Sequence, residues 1–299
     1  MQRGVIVLNA YLKSESQKRQ AERLQEELAN VGLPTDIIRN DGFLAYVDGE
    51  IRSEFAKKYA FCVYLDKDKY VSEMLEQTGM RLFNCHSAVR DCDDKMQTYI
   101  RLANHGIPLV KTLSGLLCYE PTEQIRLQTV ERIEEEIGYP VVIKESFGSL
   151  GKNVFLAENR TTLLSVMETL KCRPHLFQKA VQTSMGKDLR VIVVGKKVLG
   201  GMLRKSDTDF RSNIELGGVG VPYPVSENIA SLCTRVAEIL QLDYCGIDIL
   251  FGDNDTPLVC EVNSNAFFGG FESVTGINVA RAYAEHIQRE IARKKVCKK

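Results

Sequence analysis

Asp248, Glu261 and Asn263 carry oxygen ligands in a stretch where the chain should be burying apolar side chains. They fall in CGIDILFGDNDTPLVCEVNSN (245–265), where two strand-like runs flank GDNDTP, a cluster with turn chemistry. If GDNDTP (252–257) is the loop, Phe251 opposes Leu258 and Asp248 comes opposite Glu261. Side-chain alternation then puts Asn263 on the face of Glu261. Carboxylates that face each other destabilise a ladder unless something positive lies between them. Two carboxylates and an amide oxygen suit Mg²⁺, which completes its octahedron with water and phosphate oxygens. The same pattern also fits an edge hairpin whose acids simply face solvent. Asp253, Asn254 and Asp255 lack the glycine and downstream glutamate of an EF-hand loop and read as turn residues.

A metal–phosphate site needs cations as well, and the chain places several in unusual contexts. Lys144 interrupts the apolar run PVVIKES, where an unpaired ammonium is costly to bury. SFGSLGKNV follows, with Gly148, Ser149 and Gly151 in a loop whose backbone N–H groups can close over an anion. It is not a P-loop, and two glycines near a lysine also mark ordinary hairpin turns. Lys95, in DCDDKMQ, heads a helix, where a solvated lysine on the helix face is the more common case for such a residue taken alone. Arg190 (DLRVIVV), Arg204 (GGMLRKS) and Arg211 (DFRSN) come from strand contexts. Three such forks imply a second anion besides a nucleotide, because guanidinium matches carboxylate and phosphate bidentately.

These residues require a mixed scaffold. GVIVLNAY (4–11) reads as a strand, 14–32 as a helix with Gly32 at its C-cap, then PTDIIRND and AFCVYLD (60–66) as further strands. Strand–helix–strand alternation implies a parallel sheet, and this unit ends near Asn84. The segment 91–113 holds a helix that stops at Gly106. A helix, strands at 141–145 and 153–157, another helix and a strand at 175–181 follow. From 188 the pattern turns strand-rich, with a hairpin at Gly195 and Lys196, a helix over 227–242, the acidic hairpin and a closing helix with a basic end.

The bulk properties remove several classes. Lys plus Arg and Asp plus Glu both total 39, and a neutral chain is a poor nonspecific nucleic-acid or membrane binder. No apolar run reaches the roughly 18 residues of a membrane span, and the N-terminus has no signal-peptide cleavage site. Nine cysteines without Cys-x-x-Cys spacing suggest reduced, mostly buried thiols and a cytoplasmic address. The four histidines are dispersed, which argues against zinc.

Taken in order, these residues resemble an ATP-grasp enzyme, most closely the RimK-type α-L-glutamate (amino-acid) ligases. The resemblance runs over 84–290 through DK (94–95), VVIKE (141–145), the 148–151 loop, DLR (188–190), DFRSN (209–213), GIDIL (246–250), EVN (261–263) and TGINVA (275–280). It implies an α/β (α+β) ATP-grasp fold: a parallel-sheet pre-ATP-grasp domain over 1–87, a central and lid subdomain over 88–185, and a C-terminal subdomain with the metal site over 186–299. It further implies a carboxylate–amine ligase that uses ATP and two Mg²⁺ or Mn²⁺ ions, works through an acylphosphate and releases ADP. L-glutamate would be the added amino acid, and a protein, peptide or small molecule the carboxylate acceptor. Homo-oligomers are common in the family, although no interface signature stands out here.

By that resemblance Asp248, Glu261 and Asn263 hold the metal, while Lys95 and Lys144 contact the phosphates under the 148–151 loop. Asp188 meets the ribose, and Arg211, Ser212 and Asn213 lie along the nucleotide. Arg190, Arg204 and Arg211 neutralise the acylphosphate. The hinge LFQKAVQ departs from the family's usual acidic and aromatic residues, leaving backbone groups of Lys179 and Ala180 for adenine. SNAFFGGFE replaces a common small-residue and proline segment, so Phe267, Phe268 and Phe271 either line the substrate end or pack the core. A non-catalytic, regulatory ATP-binding protein is the alternative reading.

Overall fold

The structure, a computed structural model, describes residues 2–149, 151–214 and 217–296. Its first sheet has four parallel strands in the order β2-β1-β5-β6, formed by β1 (Gly4–Leu8), β2 (Thr35–Arg39), β5 (Phe61–Tyr64) and β6 (Leu82–Phe83). All five residues of β1 and all four of β5 that can face a neighbour are apolar or glycine and buried, as strands covered on both faces require. Between β1 and β2 runs α1 (Glu15–Asn30), capped at its start by the Ser14 side chain, which accepts from the Gln17 N–H. It ends with Gly32 at φ +80° and the Leu33 N–H bonded to the Leu28 carbonyl, a left-handed stop that a glycine supplies without strain. Sequence periodicity does not reveal the small hairpin of β3 (Tyr46–Asp48) and β4 (Glu50–Arg52), the helix α2 (Lys69–Gln77) or the two-residue β6.

The single helix expected within 91–113 is two helices, α3 (His86–Asp93) and α4 (Lys95–Leu102), broken at Asp94. Asp94 leaves the helical region and its side chain accepts from the Met96 and Gln97 N–H groups, so one aspartate ends a helix and starts the next. Lys95 becomes the first residue of α4.

The next sheet is antiparallel, β7-β10-β8-β9, from β7 (Thr112–Ser114), β8 (Val141–Glu145), β9 (Val154–Ala157) and β10 (His175–Lys179), backed by α5 (Leu127–Glu136) and α6 (Arg160–Leu170). The last sheet, β13-β12-β11-β14-β15, comprises β11 (Lys187–Val194), β12 (Lys197–Lys205), β13 (Val219–Tyr223), β14 (Tyr244–Phe251) and β15 (Pro257–Asn263). Gly195 and Lys196 make the two-residue turn between β11 and β12, with Gly195 at φ +58°. One face of this sheet presents Leu189, Val191, Val193, Ile247 and Ile249 to α7 (Glu227–Ile239). On the other face Ile192, Val194 and Tyr244 pack with α1 and α9 (Val279–Val296), in a core that also takes in Ile6 and Val63 of the first sheet. A short helix, α8 (Gly269–Thr275), completes the described chain. No described helix is long and apolar enough to cross a membrane.

Asn84 ties the two sheets together. Its amide donates to the Tyr244 and Ser264 carbonyls at 2.8 and 2.7 Å, and its oxygen accepts from the Asp243 and Tyr244 N–H groups at 2.6 and 3.0 Å. The side chain is buried and fully satisfied, so its loss leaves four backbone groups without partners. Asn84→Ala is expected to cost about 3 kcal/mol or more of unfolding free energy, read by urea denaturation. A loss below about 1 kcal/mol would show that these bonds are dispensable.

Candidate active site

The acidic hairpin forms, with a correction to its register. Phe251 pairs with Pro257 rather than Leu258, and Leu250 with Leu258, because the loop closes one residue earlier than expected, through a turn at Asp253–Asp255. A bulge on β15 at Cys260 absorbs the difference and restores Asp248 opposite Glu261. Tyr99 of α4 holds the bulge: its hydroxyl reaches the carbonyls of Val259 and Cys260, both at 3.1 Å. The extra residue aims both Cys260 and Glu261 at one cleft. Asn263 lies opposite Gly246, farther along the same edge, with its side-chain nitrogen buried and unpaired.

The strand register also explains the arginines. Arg190 on β11 faces Asp248 on β14, and its fork closes on both carboxylate oxygens at 2.7 Å. Arg204 on β12 faces Asp188 on β11, bonds it at 2.6 and 2.5 Å, and reaches Asp248 at 3.0 Å. The result is a neutral quartet of two guanidinium and two carboxylate groups on the sheet face that, farther along, packs as apolar core. Burial would raise the Asp248 carboxyl, but Arg190 and Arg204 outweigh it and hold it at about 2. Asp188 sits above the usual carboxylate range, first because of burial, with the nearby Asp248 charge adding to it against Arg204. Asp188, which the family resemblance places at a ribose, lines the cleft, and the Arg204 fork holds both of its oxygens.

Arg211 departs from the strand context inferred for it. It lies in the loop between β12 and β13, pairs with Asp209 at 2.7 Å and donates to the Gly151 carbonyl at 2.7 Å. Across the cleft Lys95 donates to the Gly148 carbonyl at 2.9 Å and lies 3.7 Å from Glu261. The 148–151 loop, of which Leu150 is outside the described residues, is therefore held at both of its glycines. Gly148 and Gly151 have φ of +132° and +69°, a backbone that side chains resist. Ser149 faces both the cleft and a neighbouring polar cavity.

Lys144 on β8 is only 9% exposed, and among the described residues its ammonium has one polar partner, the Cys260 thiol at 3.4 Å. No carboxylate lies within ion-pair distance of it among the described residues. A thiol does little for a buried ammonium, so this position fits an anion. At the hinge Lys179 and Val181 line the cleft, while Ala180 between them is buried on the other side. Ser212 and Asn213 line the opposite wall. Apolar Val142, Val154 and Leu250, which sequence reading did not single out, give the cleft an apolar slot; their signal is only the ordinary alternation of strands.

Phe268 and Phe271 are core residues at 2% and 1% exposure, whereas Phe267 borders the polar cavity. That cavity, about 480 Å³, lies between Arg190, Glu261 and Asn263 on one side and the loops after β1 and β5 on the other. Those loops leave the carboxyl ends of neighbouring parallel strands, where the strand order reverses and open sheets hold ligands. The thiols are less buried than expected: of the eight described, Cys62, Cys92, Cys233 and Cys245 are buried.

Glu261, Asn263 and Asp248 pass a chemical test for a hard divalent ion only as an incomplete set. Among the described residues no group of three or more His, Cys, Asp or Glu could hold a metal unaided. Glu261 and the amide oxygen of Asn263 leave positions for phosphate and water oxygens, as Mg²⁺ prefers, whereas both Asp248 oxygens are held by Arg190 and Arg204; the unpaired Asn263 N–H group calls for an acceptor such as a phosphate or carboxylate oxygen.

A nucleotide cleft between two antiparallel sheets, roofed by a glycine loop and floored by acids, defines an ATP-grasp protein. The RimK-like ATP-grasp domain model matches residues 92–287, and the chain belongs to that family. It is 40% identical over 226 residues to human N-acetylaspartylglutamate synthase A, covering 75% of this chain and 56% of that protein. The chain thus spans a little over half the length of this relative. A probable alpha-L-glutamate ligase of Maridesulfovibrio salexigens is 34% identical over 222 residues, 73% of this chain and 71% of the relative. Among solved structures, the ATP-grasp ligase PsnB, complexed with a minimal precursor, Mg and ADP, shares the fold with a TM-score of 0.70 at 18% identity, over 96% of this chain and 97% of that one.

Breaking the quartet should be expensive. Arg204→Met strands Asp188 beside Asp248 and is expected to cost roughly 3–5 kcal/mol in chemical unfolding. Stability unchanged from the parent protein would contradict a bracing role for the quartet.

Proposed function

We propose that this chain is an ATP-dependent carboxylate–amine ligase that adds L-glutamate to a small acidic acceptor. The observation that carries the reading is Lys144: a buried ammonium that faces the cleft with no carboxylate partner among the described residues. A polyphosphate there provides the missing charge.

In this reading the adenine lies in the slot of Val142, Val154 and Leu250, against the backbone at Lys179. Lys95 and Lys144 take phosphate oxygens, and the Gly148 and Gly151 backbone closes over them. Bound Mg²⁺, or Mn²⁺, supplies charge neutralisation across the phosphates; Glu261 and Asn263 are the residues that would hold it, and Asp248 would join them by giving up an arginine contact. The γ-phosphoryl group passes to a carboxylate oxygen of the acceptor, and ADP leaves. The amine nitrogen of glutamate then attacks the acyl carbon. A C–N bond forms, the C–O bond to phosphate breaks, and the amine gives up a proton. Arg190, held by Asp248 at the cavity wall, faces the developing negative charge, and positioning with charge neutralisation accounts for the rate. Both carbon substrates occupy the polar cavity. The name of the human relative contains a small N-acylated acidic amino acid joined to glutamate, which agrees with a cavity of about 480 Å³.

The test is ADP release with Mg-ATP, L-glutamate and N-acetylaspartate, with products read by mass. The expected result is ADP formation that requires both carbon substrates, one glutamyl amide per ADP, and a loss of about 10²-fold or more in Glu261→Ala. Tight ATP binding without turnover across a panel of acids would replace this reading with a regulatory one.

A further inference from the structure

The lid carries two thiols that ligase chemistry does not use. Cys118 lies between β7 and α5, and Cys172 in the turn between α6 and β10. The Cys118 N–H donates to the Lys171 carbonyl at 2.7 Å, so the backbone of one cysteine touches the residue beside the other. A carbonyl oxygen lies roughly 2.8 Å from the next Cα, and an amide nitrogen about 1.5 Å from its own. With the hydrogen bond between them at 2.7 Å, the two Cα atoms lie no more than about 7 Å apart, and closer along any bent path. Disulfides span roughly 4.4–6.8 Å between Cα atoms.

The thiols are also neighbours. Cys172 is held above the usual thiol range, first by desolvation and then by the nearby Cys118 thiol, which itself donates to the Glu120 carbonyl at 3.1 Å. Cys118 is half-buried and Cys172 exposed, so solutes reach both. Cys92, Cys233 and Cys245 also neighbour one another, but burial in the core around α7 pushes their thiols far up and keeps reagents out.

We propose that Cys118 and Cys172 form a reversible disulfide, a modification site on the lid. With glutathione disulfide as oxidant, one protein thiolate displaces a glutathione thiolate and forms a mixed disulfide. The second protein thiolate attacks that bond and releases the other glutathione. Two S–H bonds of the protein become one S–S bond, and two protons and two electrons end on two glutathione molecules. The cross-link encloses β8 and β9 with the loop that joins them, and fastens the segment after β7 to the turn before β10. It touches no residue assigned to the cleft.

The experiment equilibrates the full chain with glutathione at graded ratios of disulfide to thiol, quenches with iodoacetamide and maps the peptides by mass. The expected result is that Cys118 and Cys172 lose alkylation together, appear in one cross-linked peptide, and recover with dithiothreitol. Cys118→Ser should leave Cys172 carrying at most a glutathione adduct, and Cys172→Ser should leave Cys118 open to alkylation. The proposal is overturned if both thiols stay alkylatable at oxidising ratios, if Cys172 keeps glutathione while Cys118 stays free, or if either pairs with another cysteine. The readout is thiol mass, so it stands or falls independently of the ligase reading.

Discussion

The site depends on the neutral quartet formed by Asp188, Arg190, Arg204 and Asp248. These groups occupy the face of a sheet whose other residues are core, and each would be prohibitive there alone. Their charges cancel because the register of β11 with β14 and with β12 puts each guanidinium directly across from a carboxylate. Electrostatics and backbone pairing thus enforce one another. A one-residue slip of β14 would turn Asp248 into the core around α7 and leave Arg190 unpaired. The quartet in turn fixes Arg190 at the cavity wall and sets the strand beside which Glu261 must lie.

Around that fixed floor the other parts are held more lightly. Lys95 and Arg211 reach across to single carbonyls of the 148–151 loop, one at each glycine. Such contacts can exchange for phosphate oxygens at little cost, because each is one hydrogen bond between groups that water or ligand can replace. Lys144 is the exception, a charge placed at a cost to the fold and facing the cleft. The division is consistent with a ligase: a rigid acidic floor, a roof that can close, and cations positioned for charge that arrives with the substrate.

Much of this was legible in the sequence, and the limits have physical causes. Lys144 stood out because an ammonium inside VVIKE contradicts the strand around it, and Asp248 and Glu261 because carboxylates contradict theirs. Local rules found the Gly195–Lys196 turn and the Gly32 stop. The Cys260 bulge is not legible, since one extra residue in a strand changes no composition or periodicity, and GDNDTP reads as a six-residue loop where the strands close around five. The pairing of Arg190 with Asp248 joins residues 58 positions apart, and only the sheet order reveals it. For the same reason the pairing of Asp188 with Arg204 is not legible in the sequence. Tyr99 gave no signal at all, because a tyrosine on the buried side of an amphipathic helix looks like any core aromatic.

The most direct test of the account is a paired measurement on Lys144→Met: Mg-ATP affinity by calorimetry and thermal unfolding without nucleotide. If Lys144 is a buried charge kept for a polyphosphate, its removal should weaken Mg-ATP binding by about tenfold or more while leaving nucleotide-free stability unchanged or higher. Unchanged affinity together with a lower melting temperature would mean that Lys144 serves the fold rather than the nucleotide, and would contradict the assignment of the cleft.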